Sequence, residues 1–579
     1  MTEWETESQE PHGMAQIMQA RRAAQLGDYK AIKDLLDQGL VEAGAMDPDD
    51  CSLLHWAAIN NRLDVARLLI ERGAPVNAIG GVLSSTPLHW AARHGHHSII
   101  ALLIQNGADP EIKDGEGFMA LHIASQFGST PVVAYLVASG QSPNALDSTK
   151  MTPLMWAAFK VQGLNPLNVL LQLGADVNLV DSNFHDTALH WAVISGNTYA
   201  VKELLKTGVK VEALNRQNET ALDIARQQGH HAIVQLLETA ARKRRQAPTS
   251  FKQQLYEDDV LKKRLIMSIP LAIFTTLLLT FYSTVDLRLK IFLCVLYFIF
   301  GLFLKSSYLK YNRRECMDYL PVSIASTVMS FFVFTWFTFL NGLMPWHTQI
   351  FMIFVIIIVP YLFIKSIYSD PGIIKSTDAE KLKAIKEVVE ENVFGQNFCV
   401  TCLRKKLPRS KHCRVCEHCI VRYDHHCPWI ANCVGGKNHR LFLVFLVGTF
   451  LGSGVITLSS ILYMRSECSE LEFYEVIGCE PAVLMTSTLG VLATGLIFSL
   501  LVMQLYQIGR GLTTNERLNA HRYGYMTVKE DNVITKSPYD VCNAYLLSNG
   551  ITENLKIFLM SKELDFVEFG PTKDGYINV

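Results

Sequence analysis

A chain of 579 residues with 49% hydrophobic side chains and a mean hydropathy of +0.17 is too long for one domain and too apolar for an ordinary cytosolic protein. Its 53 Lys and Arg balance 54 Asp and Glu, which excludes a general polyanion-binding role and leaves meaning only to local basic patches. Seven of the 13 cysteines fall between Cys399 and Cys433, a clustering that points to metal or catalysis and away from a secreted disulfide framework, since the acidic opening does not read as a signal peptide.

Residues 1–19 are expected to be a disordered acidic stretch. From 20 to 242 the chain repeats itself. Ser52-Leu53-Leu54-His55-Trp56-Ala57-Ala58 returns as Thr86-Pro87-Leu88-His89-Trp90-Ala91-Ala92, Met119-Ala120-Leu121-His122, Thr152-Pro153-Leu154-Met155-Trp156, Thr187-Ala188-Leu189-His190-Trp191 and Thr220-Ala221-Leu222-Asp223, every 33 to 35 residues. This is the ankyrin period and phrase. One unit cannot bury its own apolar face, so the stack is the folding unit. An earlier degenerate copy, Ala23-Ala24-Gln25-Leu26-Gly27-Asp28, caps it and gives about seven units. Such an array is expected to bind an extended peptide or partner surface in its concave groove.

A basic linker follows at 243–264 (Lys243, Arg244, Arg245; Lys262, Lys263, Arg264), read as the cytosolic flank of a membrane segment. Apolar stretches at 265–284, 289–305, 320–341 and 347–367 predict four transmembrane helices within 265–368, and stretches at 441–463 and 482–508 predict two more within 441–508. Lys and Arg crowd the loops on one side, which puts both termini and the cysteine cluster in the cytosol. Cys468 and Cys479 share the one sizeable far-side loop, in a compartment that permits a disulfide between them.

The cysteine-rich segment, 369–440, contains Cys399, Cys402, His412, Cys413, Cys416, Cys419, Asp424, His425, His426, Cys427 and Cys433. Paired Cys-x2-Cys steps are zinc clamps. Setting one cysteine aside for catalysis and adding His412 and His426 leaves eight ligands, enough for two Cys3His sites. A plain zinc-ribbon adaptor would leave Cys427 and His425 without a role. Between Cys399 and Arg440 nine Lys and Arg stand against Glu417 and Asp424, a local basic excess suited to an anionic ligand or to anionic lipid.

The spacing resembles the DHHC cysteine-rich domain of protein S-acyltransferases. Asp370-Pro371-Gly372, Thr513-Thr514-Asn515-Glu516 and Gly550-x3-Asn554-x3-Phe558 match flanking motifs of that family, and the ankyrin repeats make the whole resemble the huntingtin-interacting ankyrin-repeat palmitoyltransferases. The resemblance implies an all-α protein: an ankyrin solenoid, then a six-helix transmembrane domain carrying a cytosolic two-zinc domain, and a cytosolic tail, 509–579. It implies a Golgi or other endomembrane protein that moves palmitate from palmitoyl-CoA to protein cysteines. Cys427 would be the nucleophile, His425 the base and Asp424 its orienting partner. Thr514 would bond Asp424, or else merely cap a helix ahead of Glu516. One structural zinc would take Cys399, Cys402, His412 and Cys419, the other Cys413, Cys416, His426 and Cys433. Spans three to six would form the acyl slot, where Gly452 either packs helices or lines the cavity. The family's C-terminal motif runs Pro-Phe-Asp directly into Gly, whereas here Pro538-Tyr539-Asp540 is separated from Gly550, which weakens Asn554 as its structural asparagine.

The same resemblance puts Asn60 and Trp90 in the peptide groove, while Trp56, Trp156 and Trp191 recur at equivalent positions as packing residues. Membrane lipid, acyl-CoA and protein clients are the expected partners; nucleic acid is not. Two other readings fit the same layout: a catalytically idle ankyrin scaffold, and a six-span channel, which would need an apolar pore loop that 464–480 does not offer.

Overall fold

The repeated phrase explains the array one helix at a time. Ser52, Thr86 and Thr187 cap their helices in extended backbone, each facing a histidine at the third helical position. His89 Nδ1 accepts the Thr86 backbone N–H at 3.2 Å, so the proton sits on Nε2, which donates to the Phe118 carbonyl of the next repeat at 3.1 Å. His55 and His122 reach the Ser85 and Ala145 carbonyls in the same way, at 2.9 and 3.1 Å. Burial lowers the pKa of all three, which favours the neutral ring this bridge requires.

The structure is a computed structural model that describes residues 11–160, 166–244, 259–282, 313–392, 394, 398–407, 409–467, 479–519 and 550–560, with scattered positions from 289 to 299. It divides into two units, Met1–Thr249 with Ser376–Lys405, and Ser250–Lys375 with Lys406–Val579.

In the first unit seven helix pairs stack: α1 (Pro11–Leu26) with α2 (Tyr29–Asp37), α3 (Leu53–Ile59) with α4 (Leu63–Glu71), α5 (Pro87–His94) with α6 (His97–Gln105), α7 (Ala120–Gln126) with α8 (Thr130–Ala138), α9 (Pro153–Lys160) with α10 (Pro166–Gln172), α11 (Ala188–Ile194) with α12 (Thr198–Leu205), and α13 (Ala221–Gln227) with α14 (His231–Arg244). Alanines at the contacts, Ala57, Ala91, Ala124, Ala157 and Ala192, are fully buried and let neighbouring helices approach. Helix α1 begins inside the stretch 1–19 expected to be disordered, because it extends the face on which Ala20, Ala23 and Ala24 close the end of the core.

Beyond the array lie α15 (Asp259–Tyr282), α16 (Arg313–Thr335), α17 (Trp346–Tyr368), α18 (Asp378–Glu390), α19 (His439–Glu467), α20 (Pro481–Gly509), α21 (Thr514–Leu518) and α22 (Gly550–Met560). Between α18 and α19 are three antiparallel hairpins, β1–β2 (Phe398–Cys399, Arg404–Lys405), β3–β4 (Lys411–Cys413, His418–Ile420) and β5–β6 (His425–Cys427, Asn432–Val434), so the expected all-α class holds only outside the cysteine-rich segment.

The expected single domain at 369–440 is divided by contact. Helix α18 joins the first unit: Ile385, Val388 and Val389, at helical spacing, bury against α6 and α8. Tyr135 donates to Glu390 at 2.9 Å and Lys405 pairs with Glu391 at 2.9 Å.

In the second unit five helices are long and apolar enough to cross a membrane: Lys263–Thr280, Tyr319–Leu343, Trp346–Tyr368, His439–Glu467 and Pro481–Gly509. They coincide with five of the expected spans; the second of the six, 289–305, falls mostly outside the described residues. The end of the expected linker, from Asp259, is already helical as the foot of the first span. Helices α19 and α20 approach closely at Gly490, where a Cβ would lie 2.2 Å from Thr457 Oγ1.

Candidate active site

Hairpin β5–β6 carries the site, and its pleat sorts the residues. Successive side chains of a strand point to opposite faces. His425 and Cys427 therefore share one face of β5, and His426 takes the other, opposite Cys433 in the register.

On the His426 face, the ligand atoms of Cys413, Cys416, His426 and Cys433 all lie within 4.8 Å of one another. Cys416 Sγ is 3.4 Å from Cys433 Sγ and 3.4 Å from His426 Nδ1, and Cys433 Sγ is 3.7 Å from that nitrogen. Zinc bonds of about 2.3 Å to sulfur and 2.0 Å to nitrogen give tetrahedral edges of roughly 3.5–3.8 Å, so this donor set fits the ion. Of the other expected ligands, Cys399 and Cys402 lie on the β1–β2 hairpin of the first unit. His412 and Cys419 are cross-strand partners on β3–β4 of the second.

On the opposite face, His425 Nδ1 is 2.6 Å from Asp424 Oδ2, and the ring packs edge-on against Phe442 at 5.7 Å. Burial opposes a charge on His425, but its bonds to Asp424 and Cys427 prevail and raise its pKa to about 9. Asp424 is itself buried, yet bonds from His425 and the Thr514 N–H hold its carboxyl well below the usual carboxylate range.

The sequence left Thr514 between two roles, and the structure separates them. Thr513 is the helix cap: its hydroxyl accepts the Glu516 N–H at 3.2 Å and Glu516 returns a bond to the Thr513 N–H at 2.8 Å. Thr514 instead donates its N–H to Asp424 Oδ1 and its hydroxyl to Asp424 Oδ2, at 2.7 and 2.8 Å. Glu516 is buried in a two-point pair with Arg409, at 2.5 and 2.6 Å.

The hairpin is anchored to the spans. Asp370 accepts the N–H groups of Gly372 and Ile373 at 2.9 and 2.8 Å. Gly372, at φ +99°, adopts a backbone that favours glycine, and its carbonyl accepts the Val421 N–H at 3.0 Å. Pro371 closes the turn, its carbonyl set against Gly435, where a Cβ would lie 2.4 Å away. Asn432 donates to the carbonyls of Ser366, Ile367 and Ser369 at the end of α17. Asn554 donates to the Gly509 carbonyl at 2.9 Å, securing α22 against the end of α20 despite the longer connection before it.

Cys427, 6% exposed, opens on a cavity of about 590 Å³ walled by α16, α17, α19 and α20, including Val328, Val359, Leu446 and Leu496. Gly452 serves both readings offered for it: it lines the cavity, and a Cβ there would lie 2.5 Å from Val355 Cγ1. Cys479 is disulfide-bonded, while Cys468 lies outside the described residues.

The family model for DHHC palmitoyltransferase matches residues 392–521, and that for ankyrin repeats matches 20–114, 110–181 and 161–247. Palmitoyltransferase ZDHHC17 of Danio rerio is 36% identical over 534 residues, 90% of this chain and 85% of that protein. The chain belongs to the ankyrin-repeat DHHC palmitoyltransferases. Palmitoyltransferase ZDHHC13 of Homo sapiens is 35% identical over 90% of this chain and 84% of its own length, and Palmitoyltransferase Hip14 of Drosophila melanogaster 34% over 88% and 82%. As a DHHC palmitoyltransferase the protein is an S-acyltransferase acting on protein cysteines, which sets aside the channel and the idle scaffold.

In the array, Trp56, Trp156 and Trp191 each donate their indole N–H to an aspartate of the preceding turn, Asp47, Asp147 and Asp181, at 2.8, 2.9 and 3.1 Å. At the matching place before Trp90 stands Gly81, and among the described residues the Trp90 indole N–H has no protein acceptor. Trp90 lies edge-on to Trp56 at 5.4 Å, and the exposed Asn60 bonds the Trp56 carbonyl at 2.9 Å.

Several of the basic residues counted in the sequence are engaged within the fold. Lys405 meets Glu391, Arg409 meets Glu516, Lys411 meets Asn515, Lys437 meets Asp370 and Arg440 meets the Phe558 carbonyl. Residues that sequence reasoning missed are Asn432, His439, Gln504 and Gln507; a glutamine inside an apolar span is the signal that marks the last two.

Proposed function

We propose that Cys427 carries the acyl group. With His425 taking up its proton, the Cys427 thiolate attacks the thioester carbonyl of palmitoyl-CoA; the bond to the CoA sulfur breaks, and His425 returns the proton to that leaving thiolate. His425 then accepts the proton of a client cysteine, whose thiolate takes the acyl group and releases Cys427. Asp424, held by Thr514, keeps the His425 ring in the orientation both steps need. The observation that carries this reading is that Cys427 sits beside the Asp424–His425 pair at the mouth of an apolar cavity of about 590 Å³, within the range of small-molecule sites.

In the same reading the cavity takes the acyl chain. Cys413, Cys416, His426 and Cys433 hold one zinc, and Cys399, Cys402, His412 and Cys419 hold a second. Saturated sites offer no open position for substrate, so the ions serve to fix the hairpins. Clients dock as short extended motifs on Asn60 and Trp90, supported by the unpartnered indole N–H. Cys479 pairs with Cys468 on the luminal side, and the protein resides in a Golgi or related endomembrane with its termini in the cytosol.

The test is to incubate purified protein with an alkyne-bearing palmitoyl-CoA. A hydroxylamine-labile adduct is expected on wild type and none on Cys427→Ser; equal labelling of the two rejects the acyl-enzyme.

A further inference from the structure

Two side chains of the spanning helices converge on Asp424. Gln504, near the end of α20, and His439, the first residue of α19, are 7% and 2% exposed. Polar groups buried among spanning helices are costly unless they are bonded. Gln504 Oε1 lies 2.7 Å from His439 Nε2, and a carbonyl oxygen can only accept, so Nε2 carries the proton.

Asp424 Oδ2 is a carboxylate oxygen and can only accept, so the amide edge that faces it is Nε2; nitrogen and oxygen of a glutamine are told apart by such partners. With Oε1 on His439, Gln504 Nε2 is turned to Asp424 Oδ2 at 3.3 Å and Thr514 Oγ1 at 3.2 Å. The Thr514 hydroxyl has one hydrogen and two acceptors within reach, Asp424 Oδ2 at 2.8 Å and Gln507 Oε1 at 2.9 Å. When it turns to Gln507, Gln504 Nε2 is the donor that Asp424 Oδ2 keeps beside His425.

We propose that Gln504 and His439 are positioning residues for acyl transfer: His439 holds the Gln504 amide with its N–H toward Asp424, and so keeps that carboxylate aimed at His425. Turned the other way, the amide would set an oxygen against the carboxylate. The inference rests on the roles given above to Asp424, His425 and Cys427.

Self-acylation of the full-length, detergent-purified protein by alkyne-palmitoyl-CoA tests it. Gln504→Met keeps the reach and loses the bonds, and is expected to lower the maximal rate about tenfold, with the half-saturating acyl-CoA concentration unchanged. His439→Phe should match it, while His439→Gln, which retains an N–H donor, should stay within about threefold of wild type. Because His439 acts through Gln504, the double variant Gln504→Met/His439→Phe should be no slower than Gln504→Met alone. Losses that multiply in the double variant, single variants at the wild-type rate, or loss of bound zinc or of a monodisperse elution peak from Gln504→Met would each overturn the proposal. Cys427→Ser in the same assay separates the two levels. If it labels like wild type, the acyl-enzyme reading fails and takes this one with it; if it is silent while Gln504→Met runs at the wild-type rate, only the positioning role fails.

Discussion

Thr514 engages both oxygens of Asp424, its N–H 2.7 Å from Oδ1 and its hydroxyl 2.8 Å from Oδ2, across 90 residues of sequence. The Asn515 N–H bonds the Asp424 carbonyl as well, at 3.1 Å. The turn after the last span thus fixes a carboxylate whose own hairpin lies before the fifth span in the sequence-based count.

Neighbouring threonines should therefore fail differently. Thr514→Val loses one bond to a charged acceptor and is expected to slow self-acylation about tenfold with little change in melting temperature. Thr513→Val removes a cap and should destabilise by about 1 kcal/mol while the folded fraction stays active. Self-acylation rates set beside thermal melts distinguish them.

Glu516 gives an acid limit. Burial opposes its charge, but the Arg409 pair prevails and holds its pKa below the ordinary 4.5. A depressed carboxylate contributes stability that is present above its unfolded pKa and lost as pH falls through the folded value. Stability should thus hold down to about pH 4.5 and decline below it. Glu516→Gln should lower stability at neutral pH by about 3–5 kcal/mol, since it leaves Arg409 buried without its counter-charge, and should remove that acid component. Unfolding monitored from pH 3 to 7 reads both.

At Gly452 a side chain meets Val355, so Gly452→Phe must push α17 or fill the cavity. We expect a cost of about 1–3 kcal/mol and a shift toward shorter acyl chains. An unchanged length preference, measured across a series of acyl-CoAs, would count against the cavity as the acyl slot.

Zinc should follow the pleat. On the proposed zinc assignment, Cys433→Ser is expected to lower the zinc bound per chain by one ion, measured by mass spectrometry, and to abolish self-acylation although Cys427 is intact, because His426 and Cys433 face each other across the hairpin.

In the array, Trp90→Ala should weaken client-peptide binding with only a small drop in melting temperature. Trp56→Ala should lower the melting temperature instead, since Trp56 bonds Asp47 at 2.8 Å and carries the Arg21 guanidinium 4.2 Å above its ring. Peptide-binding titrations and thermal melts of both variants separate groove from scaffold.

Much of this was legible in the chain. The 33-to-35-residue period specified the array because each Thr-x-x-His phrase makes only local and next-repeat contacts. Ligand counting set His426 apart from His425 and Cys427, and strand alternation puts it on the opposite face of β5. The Asn554 assignment looked weak for a connection of unusual length, yet its bond to Gly509 depends on where α22 docks and not on how the chain arrives there.

The sequence by itself determined the parts: repeats, apolar spans and a cluster of cysteines and histidines at ligand spacing, all encoded in periodicity and spacing. Tertiary structure decided the partners. That Thr514 and Gln504 reach Asp424, and that α18 belongs with the array, are facts of distance between residues far apart in the chain. Hydrogen bonds and packing act over a few ångströms, and only the folded backbone brings such residues that close.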